Sequence, residues 1–151
     1  MSRRSFVALL HRALLALPLV GISATACREN SSEHGPQKFS LGLITDFSAG
    51  VNLRELERLL VLREDRGATS AFRAVSLLCT HQTCLLSFQG TSSGFQCPCH
   101  GSRFSMRGEV LHGPATESLP WYQLQTSKDG MRLVVDRHAK VAPSWELIVS
   151  I

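Results

Sequence analysis

The sequence predicts a small all-β fold of the sandwich or barrel type. After residue 38 the chain alternates short apolar runs with turn signals at regular intervals, which is the pattern of many short strands. No internal repeat or low-complexity tract interrupts it. A chain of 151 residues holds about one ordinary domain plus an N-terminal extension, so we expect a core of modest size.

The first 26 residues are typical of an export signal. Residues 2–7 (Ser-Arg-Arg-Ser-Phe-Val) resemble a bacterial twin-arginine export motif, and an apolar run over 13–22 leads to small residues that resemble a cleavage site. Retention as a membrane anchor is the alternative. His11 and Arg12 interrupt the segment, and the uninterrupted run is shorter than the ~20 residues that a span needs, which favours cleavage.

Cys27 directly follows these small residues, like the lipid-modified cysteine of bacterial lipoproteins. A free thiol is the alternative, but a stray thiol is a liability in an oxidising compartment. Acylation of Cys27 is therefore the interpretation that the sequence favours. With either interpretation of Cys27, the protein is expected to be exported and held at the periplasmic side of the cytoplasmic membrane. Residues 27–38 are polar, with Ser, Gly and Pro, and predict a flexible tether.

The compact domain is expected over residues 39–140, followed by a tail or last strand over 141–151. Its predicted strands are 39–44, 58–63, 71–78, 121–126 and 131–135, with shorter ones at 85–88, 94–96 and 109–112. The segment 52–66 is ambiguous, since its leucines also recur at helical spacing. A turn and a second apolar run follow it at once, which favours a strand. Residues 127–130 predict the turn of a hairpin.

Two short runs carry the chemistry of the chain. Residues 79–84 are Cys-Thr-His-Gln-Thr-Cys, and residues 97–102 are Cys-Pro-Cys-His-Gly-Ser. Two thiolates and two imidazoles from these runs are enough for a tetrahedral zinc ion, or for a two-iron cluster with both imidazoles on one iron. These four candidate ligands are Cys79, His81, Cys97 and His100. Because each run mixes Cys with His, the two-iron cluster is favoured over zinc.

The two runs resemble the Rieske iron–sulfur family, whose pattern is Cys-Thr-His-x-x-Cys followed by Cys-Pro-Cys-His-Gly-Ser. The resemblance spans about residues 39–135 and includes 113–115 (Gly-Pro-Ala), which is similar to the family's proline loop. It implies a small β-sandwich or barrel with a cluster-binding subdomain of two loops, and one [2Fe-2S] cluster as cofactor. Gly113 and Pro114 would then cover the cluster.

The resemblance also implies a role for each Cys and His of the two runs. Cys79 and Cys97 would ligate the buried iron, and His81 and His100 the outer iron. The cysteine left over in each run would form a disulfide between the loops. That pair is Cys84 and Cys99, and closing a loop of roughly 15 residues stabilises by about 3 kcal/mol.

Three further positions bear on the properties of the cluster. Ser102 matches a serine that donates a hydrogen bond to a cluster sulfur, and Phe104 stands where high-potential members have a tyrosine that donates another. Because a phenyl ring cannot donate, the resemblance implies a lower reduction potential. Gln82 stands where respiratory members commonly have an apolar residue, which covers the cluster near the quinol contact. Thr83 stands where those members commonly have a glycine.

The function implied is electron transfer. One candidate is the Rieske subunit of a membrane-associated quinol–cytochrome c reductase-like complex, with cytochrome b or c and quinol as partners. A second is the periplasmic small subunit of another oxidoreductase with its own large subunit, such as an arsenite-oxidase-like enzyme. A non-redox zinc-binding module is the third. The sequence has no nucleophile–base pair and no phosphate loop, so it predicts no catalytic machinery beyond the cluster.

Charge argues against a nucleic-acid partner. The formal net charge is +4, but three of the arginines are in the leader, and without them 13 Lys and Arg face 12 Asp and Glu. No basic stripe with interleaved aromatic residues remains, so the electrostatic footprint of a nucleic-acid-binding protein is missing.

Overall fold

The computed structural model describes residues 37–150, and within them one short 3-10 helix (Ile44–Asp46) is the only regular element that is not a strand. The strands are β1 (Lys38–Leu43), β2 (Gly50–Arg54), β3 (Leu59–Arg66), β4 (Thr69–Ser76), β5 (Ser87–Phe88), β6 (Phe95–Gln96), β7 (Arg103–Phe104), β8 (Val110–His112), β9 (Trp121–Thr126), β10 (Arg132–Val141) and β11 (Leu147–Ser150). The all-β prediction is confirmed. The predicted leader, Cys27 and most of the tether lie outside the described residues. Within residues 37–150, no helix is long and apolar enough to cross a membrane.

The larger sheet has seven antiparallel strands in the order β1-β10-β9-β4-β3-β2, and β11 also pairs with β4. Its two edge strands are brought together by a side chain, because Nη2 of Arg54 in β2 donates a hydrogen bond to the carbonyl oxygen of Leu41 in β1 at 2.5 Å. The sheet is therefore curled around one core. Leu59, Phe72 and Leu124 are among the side chains buried inside it.

Three strands of this sheet bury side chains on both faces. Along β3, Leu59 and Val61 pack inside the curled sheet, whereas Leu60 packs in a second core that also contains Cys79 and Cys97. The same alternation continues in β4 and β9, because successive side chains of a strand point to opposite faces. Burial on both faces explains why β3 begins with a continuous apolar run over 59–62.

The second core supports an inserted lobe, residues 77–119, between β4 and β9. This lobe contains a small antiparallel sheet in the order β5-β6-β7-β8. Gly94, just before β6, has a positive φ of 75°. A Cβ atom there would lie 2.1 Å from the carbonyl oxygen of Phe104 in β7, so only glycine permits this close approach.

Two predicted segments differ from the structure. The segment after the first turn was not expected to be a strand, yet Gly50–Arg54 pairs with β3 in register. The strand predicted over 131–135 is longer than expected, since β10 continues to Val141 and includes the charged residues 136–138. In both cases the strand is set by its neighbour in the sheet, and its own residues carry little apolar alternation.

We expect Gly94→Ala to lower the thermal midpoint of unfolding by about 15 °C, since backbone strain and a clash of its Cβ with backbone atoms add to about 3 kcal/mol. Gly130→Ala is the matched control, because φ is 72° at Gly130 and a Cβ there meets nothing within 4 Å. We expect a loss of about 5 °C for this control. Equal midpoints for the two variants would contradict the close packing of β6 on β7.

Candidate metal centre

The two Cys/His runs form two loops with the same backbone hydrogen bonds. In each loop the first N–H donates to the carbonyl of the sixth residue, and the fifth N–H donates back to the carbonyl of the first. The N···O pairs are Cys79 to Cys84 (2.9 Å), Thr83 to Cys79 (2.8 Å), Cys97 to Ser102 (2.8 Å) and Gly101 to Cys97 (3.0 Å). A cysteine therefore occupies the same place at the root of both loops.

The fifth residue of each loop has a positive φ. Gly101 has φ of 77°, which costs glycine nothing. Thr83 has φ of 52°, although β-branched residues rarely adopt this conformation. The positive φ at position 83 explains in physical terms why respiratory members of the family commonly have a glycine there. It also marks Thr83 as a strained residue of the first loop.

The loops bury their thiols and expose their imidazoles. Cys79 and Cys97 are each 1% exposed and form no disulfide. His81 and His100 are exposed, and their ring centroids lie 4.9 Å apart with the planes at 88°. The four predicted ligands thus come together as a buried thiol pair and an exposed imidazole pair.

A disulfide joins the two loops. Cys84 is bonded to Cys99, with their Cα atoms 6.6 Å apart and a sequence separation of 15 residues. The prediction of a disulfide is confirmed. The Sγ atoms of Cys84, Cys97 and Cys99 all lie within 4.8 Å of one another, but the disulfide takes two of the three. Among them only Cys97 retains a thiol for a metal ion.

A third segment, residues 113–119, is attached to both loops. The buried Oγ of Ser102 accepts a hydrogen bond from the amide of Ala115 at 3.0 Å, which leaves the Ser102 hydroxyl proton free to donate elsewhere. The hydroxyl of Thr80 donates to the carbonyl oxygen of Glu117 at 2.6 Å. The segment begins with a cis peptide bond between Gly113 and Pro114, both of which are exposed.

The electrostatic environment of Cys97 suits a metal ligand. Burial by itself raises the pKa of the thiol, but hydrogen bonds from the amides of His100 and Cys99 and from the Cys79 side chain oppose it, and the net pKa is lowered. A lowered pKa favours the thiolate, which is the form that binds metal. Two buried soft sulfur donors beside two imidazoles fit a two-iron cluster with mixed ligands.

The remaining predicted residues fall into two groups. Phe104 is fully buried in the core that contains Cys79 and Cys97, whereas Gln82 is exposed in the first loop. The sequence interpretation assigned no role to Thr80 or Ala115, whose contacts hold the third segment. A backbone amide carries no sequence signal, and the partner of Thr80 is 37 residues away.

The family model for the Rieske [2Fe-2S] domain matches residues 41–123. The chain belongs to this family. The Rieske domain carries one [2Fe-2S] cluster, and the donor set described above fits that cofactor.

Several relatives are iron–sulfur subunits of the cytochrome b6-f complex. The subunit 1 of the Cyanophora paradoxa cyanelle is 29% identical over 67% of this chain and 44% of its own length. The chloroplastic subunit of Pisum sativum is 43% identical over 40% of this chain and 25% of its own length. This chain spans less than half the length of these curated relatives.

A solved structure is also similar. The cyanobacterial plasma membrane Rieske protein PetC3 from Synechocystis PCC 6803 shares 28% identity with a TM-score of 0.40, covering 64% of this chain and 97% of that chain.

We expect Thr83→Gly to stabilise the protein by about 1 kcal/mol, because relief of left-handed strain exceeds the added chain entropy of glycine. The thermal midpoint should rise by about 5 °C. Thr83→Ala is the control, since it removes the branched side chain but keeps a Cβ at positive φ, and its gain should be smaller. A midpoint for Thr83→Gly at or below that of Thr83→Ala would contradict the strained conformation.

Proposed function

We propose that this protein is an electron-transfer subunit in which Cys79, Cys97, His81 and His100 ligate the [2Fe-2S] cluster. The observation that carries the proposal is the pairing of two buried thiols with two exposed imidazoles on matched loops. Such a ligand set gives one iron two thiolates and the other two imidazoles. The zinc alternative would not require this segregation of sulfur from nitrogen.

The residues around the ligands have separate tasks. A bound cluster supplies one-electron redox chemistry, and the chain sets its surroundings. Cys79 and Cys97 would hold the inner iron of the cluster in a core that excludes water. The ring edges of His81 and His100 face solvent, where a nitrogen not used for ligation can exchange a proton and a hydrogen bond with an electron donor.

Ser102 and the disulfide tune and brace the centre in this proposal. The Ser102 oxygen accepts a hydrogen bond from the Ala115 amide, so the Ser102 hydroxyl proton stays available to donate to a cluster sulfur. The disulfide between Cys84 and Cys99 keeps the two loops at a fixed separation. Gly113 and Pro114 would cover the cluster from the third segment, which the hydrogen bond between Ala115 and Ser102 holds in place.

For the whole protein we propose the Rieske subunit of a membrane-associated quinol–cytochrome c reductase-like complex, with cytochrome b and a c-type or f-type cytochrome as partners. The names of the relatives support this assignment. In this proposal residues 1–26 are a twin-arginine signal or anchor, Cys27 is the lipid attachment point, and 27–38 tether the domain at the periplasmic side of the membrane. Co-purification with cytochrome b from native membranes tests the assignment.

A second candidate is the small subunit of another periplasmic oxidoreductase, such as an arsenite-oxidase-like enzyme. The observation that favours it is Gln82, a polar and exposed residue where respiratory members commonly have an apolar one. Co-purification with an oxidoreductase large subunit and no cytochrome b would select this candidate.

We expect His81→Gln and Cys97→Ser to abolish the EPR signal of the dithionite-reduced cluster, since each removes a ligand. His112→Gln is the matched control, because His112 is also an exposed histidine of the lobe but is not a proposed ligand. It should keep the wild-type signal. A colourless wild-type protein that contains zinc and gives no EPR signal would overturn the proposal.

We expect Phe104→Tyr to raise the reduction potential by roughly 60 mV, which corresponds to one charge-assisted hydrogen bond of about 1.5 kcal/mol. The added hydroxyl donates to the centre and favours its more negative reduced state. Phe88→Tyr adds a hydroxyl to a half-buried ring of the same lobe and should leave the potential unchanged. An equal response of the two variants in redox titrations would contradict this role of position 104.

A further inference from the structure

A concave cavity of about 400 Å³ lies beside the first loop, on the side facing β10. Its volume is within the range of small-molecule sites. Its wall combines residues of the first loop and the third segment with basic residues of β10. The lining residues that matter here are Thr80, Thr83, Glu117, Arg137, His138 and Lys140. Of the four proposed cluster ligands, Cys79 lines this cavity, whereas His81, Cys97 and His100 do not.

A three-residue bulge in β10 contains Arg137 and His138 of this wall, and Lys140 follows it directly. The pairing of β10 with β9 passes from Asp136 opposite Gln123 directly to Lys140 opposite Tyr122, so residues 137–139 have no partner in β9. The carboxylate of Asp136 fixes the bulge by accepting from the amide of His138 at 3.0 Å. Bulges turn side chains away from the regular alternation and are frequent beside functional sites.

Arg137 is the central cation of this wall. It is half-buried, lies over the ring of Phe39 with its Cζ 4.9 Å from the centroid, and donates a hydrogen bond to the carbonyl oxygen of Glu57. The ion pairs found within residues 37–150 do not include it. Burial is the main cause that lowers the pKa of its guanidinium and Arg58 lowers it further, whereas Tyr122 and Glu57 partly oppose this shift.

The other charges around the cavity are unequal. Lys140 and His138 add basic groups, whereas Glu117 is the one carboxylate on this wall within the described residues. A partly desolvated cation that forms no ion pair gains from a bound anion, and a guanidinium suits an oxyanion with two acceptor oxygens. The concave shape and Glu117 at the wall favour a small anion over the extended acidic surface of a protein.

We propose that this cavity binds a small multivalent oxyanion, of which inorganic phosphate is the simplest, through Arg137, Lys140 and His138. The hydroxyl of Thr80 is already used by the Glu117 carbonyl, but that of Thr83 makes no hydrogen bond among the described residues and can donate to the anion. The ligand would lie against the first metal loop without touching the exposed histidines.

Isothermal titration calorimetry of the purified holo protein with inorganic phosphate, at constant ionic strength, tests the site. Saturable binding to the wild type is expected. Arg137→Gln should weaken it by about tenfold or more, since charge-assisted hydrogen bonds are lost. Lys140→Gln should weaken it by about threefold or more through the lost charge. Arg132→Gln, at the far end of the same strand, is the control and should bind like the wild type.

Lys140 is exposed and its side chain makes no hydrogen bond within residues 37–150, so Lys140→Gln decides the question if Arg137→Gln does not fold. No saturable binding to the wild type, or unchanged affinity in every folded variant of Arg137 and Lys140, would overturn the proposal. Binding to phosphatidylglycerol vesicles without a response to inorganic phosphate would assign the basic residues to a lipid surface and would also overturn it. Because none of the proposed cluster ligands is altered, failure here leaves the electron-transfer proposal intact.

Discussion

The hydrogen bonds that close the two metal loops are the constraint on which the rest of the structure depends. Each runs from the amide of a root cysteine to the sixth carbonyl of its loop, so that Cys79 and Cys97 start their loops in the same way. Both thiols must also be buried in one core. This is possible because β3, β4 and β9 bury side chains on both faces, one toward the curled sheet and one toward the lobe.

Burial divides the candidate site into a dry side and a wet side. The thiols lie in an apolar core, where an unpaired thiolate would be costly. In the proposed centre the bound metal balances their negative charge. The histidines of the same loops face solvent, and in the proposed function they are the place of contact with a redox partner. The disulfide joins the two loops, and one hydrogen bond joins each loop to the third segment, so the relative position of the loops is fixed.

The sequence predicted the loops well because their residues are chemically rare and closely spaced. It also predicted most strands, since β4 and β9 have clear apolar runs between turn residues. It missed β2, whose Leu53 is exposed and whose pairing comes from β3. It also missed the bulge in β10, because only the register against β9 shows that residues 137–139 are extra. The left-handed backbone of Thr83 could have been inferred from the glycine that is common there, but threonine itself gives no such signal.

Mössbauer spectroscopy of the reduced, iron-57-enriched protein tests the central claim most directly, since it separates irons with different ligands. The proposed ligand set predicts two irons in equal amounts, a ferric one in a sulfur environment held by Cys79 and Cys97 and a ferrous one with the imidazoles of His81 and His100. Two irons with the same sulfur environment, or a purified protein that contains zinc in place of iron, would contradict the account.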